Sequence, residues 1–85
     1  MTIYKNNYIY IRVDENTPEV YFKDTTDYHN EGSGYTTKKR GVKNFIKFLD
    51  KVFTDERLKD DIKFSDMRNM LSNANLPYRT YCAMD

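Results

Sequence analysis

Residues 7–23 read NYIYIRVDENTPEVYFK, and this stretch decides the fold. Over 7–13, Ile9, Ile11 and Val13 alternate with Tyr8, Tyr10 and Arg12, the period of two that sends successive side chains to opposite faces of a strand. Asp14-Glu15-Asn16-Thr17-Pro18 is a turn by composition, because Asp and Asn bond back to the local backbone and proline fixes φ. Val20 and Phe22 then alternate with Tyr21 and Lys23 as a second strand. The two strands share an apolar face of Ile9, Ile11, Val13, Val20 and Phe22. Tyr8, Tyr10, Arg12, Tyr21 and Lys23 fall on the other face, where a simple meander gathers them into a cross-strand patch.

Upstream, Asn6-Asn7 suits a tight turn, since Asn tolerates positive φ, and residues 2–5 pair as a short first strand. Downstream, Asn30-Glu31-Gly32-Ser33-Gly34 is the strongest breaker cluster, followed by a return strand over 35–38. Over 41–53, Val42, Phe45, Ile46, Leu49, Val52 and Phe53 fall on one helical stripe. Lys43, Asn44, Lys47, Asp50 and Lys51 lie opposite, with Phe48 at the edge. Thr54-Asp55-Glu56 caps a short helical segment ending near 61. Ser65 is the expected N-cap of a further helix, with Met67, Met70, Leu71 and Ala74 at i, i+3, i+4 and i+7. That helix stops before Leu76-Pro77, because the residue preceding proline avoids the helical region. Residues 78–83 form an edge strand or an ordered tail. The expected fold is α+β in a single domain, 1–85. It is a small antiparallel meander of three or four strands, then two or three helices and the C-terminal segment.

A chain of 85 residues buries a limited core, with a net stability of roughly 4–8 kcal/mol. A deep substrate cleft would consume much of it, which disfavours an elaborate enzyme. Two helices in this length cannot cover both faces of a sheet, so one face stays at least partly open. Cys82 is the only cysteine; it can make no internal disulfide and reads as a small buried hydrophobe in a reducing compartment. The N-terminal segment lacks the apolar run of a signal peptide or membrane span, so the expected location is cytoplasmic, with no membrane partner.

The net charge of +1 hides a strong segregation. Residues 14–31 hold six acidic side chains against Lys23, whereas 32–49 hold Lys38, Lys39, Arg40, Lys43 and Lys47 with no acid. Those cations surround the start of the 41–53 helix, where the macrodipole already behaves as about half a positive charge. Their placement there points to an anionic partner: phosphate, nucleic acid or an acidic protein surface.

Catalysis has little to work with. His29 is the only histidine, in a loop, and no spacing pairs it with Cys82 or a serine. Asp24, Asp27 and Glu31 lack the alternating ligands and turn glycine of a calcium loop. Gly32-Ser33-Gly34 lacks the Lys-Ser/Thr of a nucleotide cradle. No enzyme, metal or cofactor is expected. Binding has more support, from Lys38, Lys39, Arg40, Lys43 and Lys47 as an anion or partner site. A second interface is expected at Tyr8, Tyr10, Arg12, Tyr21 and Lys23, tyrosine being a low-entropy source of contact area.

In its length, AT-rich residue usage, tyrosine richness and lack of catalytic groupings, the chain resembles the small accessory proteins of phages and mobile elements. These include anti-CRISPR proteins and other counter-defence inhibitors. The resemblance implies a non-enzymatic inhibitor or adaptor that blocks a nucleic-acid-handling host protein, such as a CRISPR effector nuclease. Its partner would be a larger host protein or ribonucleoprotein complex. Many such inhibitors imitate DNA with acidic surfaces; this charge-balanced chain leaves only the stretch 14–31 for local imitation of phosphates. The alternative is a small nucleic-acid-binding regulator using the basic helix start and the tyrosine face.

Overall fold

Five antiparallel strands in sequence order build the sheet: β1 (Thr2–Lys5), β2 (Ile9–Asp14), β3 (Glu19–Asp24), β4 (Asn30–Tyr35) and β5 (Tyr78–Cys82). Between β4 and β5 come α1 (Lys39–Phe53) and α2 (Asp66–Asn73). The computed structural model describes residues 1–27, 30–35 and 39–82. The expectations for His29, Lys38, residues 36–37 and 83, and the Cys82 side chain lie outside what it describes.

The alternation sets the core. Ile9, Ile11, Val13, Val20 and Phe22 are fully buried on one sheet face, beside Tyr4 of β1. Val42, Phe45 and Leu49 of α1, Met67 and Leu71 of α2, and Leu76 close over them. Phe64 tilts against Phe22 with ring centroids 5.3 Å apart. The Tyr4 hydroxyl donates 2.5 Å to Asp50 Oδ1 and its ring meets Phe53 at 5.5 Å, which fastens α1 to the β1 edge. Burial, and then the Asp50 carboxylate, hold the Tyr4 phenol well above its ordinary ionisation range.

Four local expectations change. The Asn30–Tyr35 stretch is not a breaker but strand β4, and of the return strand expected over 35–38 only residue 35 lies within the described residues, at the end of β4. Gly32 and Gly34 pair with Phe22 and Val20 on the core face, where a side chain has no room. A β-carbon on Gly32 would lie 2.2 Å from the Phe22 ring, and one on Gly34 2.6 Å from the Pro77 carbonyl oxygen. Here glycine marks a close approach rather than a bend. The helix expected over 54–61 is a run of turns: Asp55 accepts from the Arg57 N–H through its side chain, and from Leu58 and Lys59 through its carbonyl. Ser65 makes no side-chain cap; Asp66 Oδ2 instead accepts from the Lys63 N–H at 2.9 Å. The Asn6-Asn7 turn uses no positive φ. Asn6 Oδ1 accepts from the N–H groups of Tyr8 and Ile9, and β2 begins only at Ile9.

Asn6 also donates through Nδ2 to the carbonyls of Lys59, at 2.6 Å, and Ile62, at 3.0 Å. One amide thus pins the long α1–α2 connection to the first turn of the sheet. Asn6→Ala is expected to cost about 2 kcal/mol in denaturant unfolding. Asn6→Asp keeps the acceptor but sets a negative charge against two carbonyl oxygens, so it should be at least as damaging. A loss under about 0.5 kcal/mol in both variants would contradict the pinning role. At the end of α2, Asn75 takes a left-handed φ of 58° while the Leu76 N–H reaches the Leu71 carbonyl at 2.9 Å, closing the helix before Pro77.

Candidate functional site

Because both helices pack on the core face, the other sheet face is left uncovered. One row across it runs Ile3, Arg12, Tyr21, Ser33, Arg79, and the next runs Lys5, Tyr10, Lys23, Glu31, Tyr81. Ile3 is 50% exposed and Tyr81 40%, whereas Tyr4, Ile9, Ile11, Val13, Val20 and Phe22 on the core face are at most 8% exposed; within the open rows only Ser33 is buried by its neighbours, at 4%. The rows hold four cations and one carboxylate, together with three tyrosines. Nearer the β2–β3 turn, Asp14 and Glu19 face each other and give that end of the face the opposite sign.

The side chains interleave. Tyr10 and Tyr21 meet edge to face with centroids 6.5 Å apart. The Arg12 guanidinium lies 4.8 Å from the Tyr21 ring centroid, Lys23 Nζ 5.6 Å from that of Tyr10, and the Arg79 guanidinium 6.0 Å from that of Tyr81. Each such contact is worth about 0.5–1 kcal/mol at a partly wet site and, more usefully, holds both partners in place. Long flexible cations are therefore preordered on this face, which lowers the entropy lost when it docks.

The Tyr21 phenol is pushed up to about 12, chiefly by burial among these neighbours, then by its hydrogen bond to Glu31 and that group's charge; Arg12 pulls the other way. Since the neutral phenol is favoured in the folded state, its stabilising contribution is complete below about pH 10 and is lost as pH rises toward 12. Glu31→Gln is expected to lower the Tyr21 titration midpoint, read by NMR of the ring carbons. An unchanged midpoint would show that the carboxylate does not engage the phenol.

Of the five interface residues expected from the sequence, Tyr10, Arg12, Tyr21 and Lys23 come together here. Tyr8 does not join them. It precedes β2, carries Lys63 Nζ 5.2 Å from its ring centroid, and lines a cleft with Asp24, Asn30 and Phe64 at the end of the sheet. Arg79, Tyr81, Lys5 and Glu31 were not anticipated. The alternation of Arg79 and Tyr81 with Tyr78 and Thr80 was a usable signal, but only the β4–β5 register brings them beside Tyr21 and Lys23.

The cationic helix start forms a separate surface. Lys39, Arg40, Lys43 and Lys47 are exposed on α1, the first turn holds no acid, and none of the four has an ion pair among the described residues. They point away from the core, so the helix layer and the sheet separate them from the tyrosine face. The acidic stretch is divided as well. Asp14, Glu15 and Glu19 lie at one end of β3, Asp24 and Asp27 at the other, about 17–20 Å apart for a strand of six residues. Its acids serve turns. Asp14 Oδ1 accepts from the Asn16 N–H, and Asp24 Oδ1 accepts from the Thr26 N–H and hydroxyl. Burial works against ionised Asp24, yet these bonds outweigh it and hold its carboxyl below the usual range, a stabilising effect lost as pH falls below about 4.

Among the described residues no three His, Cys, Asp or Glu side chains gather as a metal site, and no helix is long and apolar enough to cross a membrane. No protein-family model, curated protein or solved structure matches this chain.

Proposed function

We propose that this protein is a non-catalytic binding protein that docks its open sheet face on an acidic patch of a larger protein. The observation that carries this reading is the uncovered double row, in which Tyr10, Tyr21 and Tyr81 are interleaved with Lys5, Arg12, Lys23 and Arg79. Tyrosine and arginine are the residue types that dominate interface hot spots. Five strands about 4.8 Å apart give the rows a width of about 19 Å, enough for the energetic centre of an interface. The turns that flank the sheet would supply its polar rim.

The finer form of the proposal follows from the resemblance to phage counter-defence proteins. The chain would inhibit a nucleic-acid-handling host protein by covering an acidic part of its functional surface, such as carboxylates around a catalytic metal. A cationic face would be repelled by a basic nucleic-acid channel, so occupation of such a channel is not part of the proposal. Nucleic-acid binding, the second reading, draws on the same excess of cations. Two observations weigh against it: cations already lie over the tyrosine rings, and the basic helix start lies on the opposite side of the molecule.

Affinity capture from the native host tests the choice. The wild-type protein should retain one stoichiometric protein partner after nuclease treatment, and Tyr21→Ala should lose most of it while still folding. Retardation of DNA or RNA at about 100 mM salt that is abolished by substitutions at Lys39, Arg40 and Lys43 would favour the second reading instead.

A further inference from the structure

On the helical side, α1 and α2 leave an open groove of about 420 Å³ between them, lined by Gly41, Phe45, Phe48, Met70 and Ala74 together with Asn44 and Asn73. Phe48 is 44% exposed and stacks on Phe45 at 6.2 Å, so an apolar surface faces water between the two helices. At 3.6 residues per turn, Arg40, Lys47 and Lys51 follow the same side of α1 as Asn44 and form the outer lip of the groove. All three are exposed without an ion-pair partner among the described residues. The one acid of α1, Asp50, is turned to the Tyr4 hydroxyl instead. An apolar floor with a one-sided cationic lip has a definite complement.

We infer that this groove is a second docking site, for an acidic amphipathic helix of a partner protein. Apolar side chains at i, i+3 or i+4, and i+7 of that helix would enter between Phe45, Phe48 and Met70. Its carboxylates, on the flank facing α1, would meet Arg40, Lys47 and Lys51. Charge complementarity selects this occupant over a basic or neutral helix, and the phenylalanine floor selects a peptide over a nucleic-acid backbone. The inference is independent of the sheet-face reading, since the two surfaces lie on opposite sides of the molecule.

The test uses the full chain and a fluorescent synthetic helical peptide, leucine on one face and glutamate on the other. Three probes serve as controls: a peptide of the same composition with its leucines scattered, one with lysine in place of glutamate, and a fluorescent oligo-dT strand. The acidic amphipathic peptide is expected to bind, with Phe48→Ala and Lys47→Glu each weakening it about tenfold. Phe48 is 44% exposed and stands outside the core cluster, so its truncation should leave the fold intact. The amide-shift map of the wild-type protein locates the site without any substitution, and its largest changes are expected at Gly41, Asn44, Phe48, Met70 and Ala74. Failure to bind, equal binding of the scattered or lysine peptide, or shifts centred elsewhere would overturn the inference. So would preferential binding of oligo-dT that Phe48→Ala leaves unchanged, or a wild-type dimer that Phe48→Glu dissociates.

Discussion

Gly32→Ala is expected to destabilise the protein by about 3 kcal/mol, and Gly32→Val to abolish folding. A β-carbon at this position would sit 2.2–2.8 Å from three atoms of the Phe22 ring. Phe22 cannot simply swing aside, because it is fully buried and its ring packs against Phe64. The loss is a large share of the stability such a small domain possesses. A double-mutant cycle isolates the cause. Phe22→Leu alone should be destabilising, yet it should recover at least about 1 kcal/mol of the Gly32→Ala loss by vacating the space the methyl needs. Additive losses would mean that Gly32 matters for backbone freedom rather than for the ring above it.

The Arg12→Glu/Lys23→Glu double variant is expected to weaken partner capture by at least about 100-fold, or roughly 3 kcal/mol, while shifting the melting temperature little. Both side chains lie on the open face, and each holds a tyrosine ring by its charge. Reversal therefore removes two attractive charges, adds two repulsive ones and frees Tyr10 and Tyr21 from their ordered positions. Raised salt should reduce the gap between wild type and variant, because the lost contribution is largely electrostatic. Capture that survives the double reversal would move the interface away from these rows.

Period-two patterning made β2 and β3 legible, and β1 followed from the Asn6-Asn7 turn, because each of these strands lies within a few residues of its own turn. The α1 stripe was equally clear: four of its six apolar positions are buried, and Ile46 and Phe53 pack against the core. β4 was hidden because the propensities of Asn, Gly and Ser are local, whereas the demand for glycine at 32 and 34 comes from Phe22 and Pro77 elsewhere in the chain. The 54–61 segment carried helix-like signals, but its backbone bonds close separate turns, Leu58 and Lys59 donating to the Asp55 carbonyl and Asp61 to that of Leu58, and the Asn6 amide holds its far end at the Lys59 and Ile62 carbonyls. The candidate surface was half readable for the same reason. Tyr10, Arg12, Tyr21 and Lys23 sit on strands joined by a short turn; Arg79 and Tyr81 reach them only through β4 and the return of the chain after both helices.

Photo-crosslinking from position 81, with a photoreactive amino acid replacing Tyr81 in the full chain expressed in its native host, tests the binding role of the open face most directly. Irradiation is expected to give a single stoichiometric covalent adduct with the captured protein partner. Retention of that partner with no adduct from position 81, nor from the same substitution at Tyr10, would contradict it.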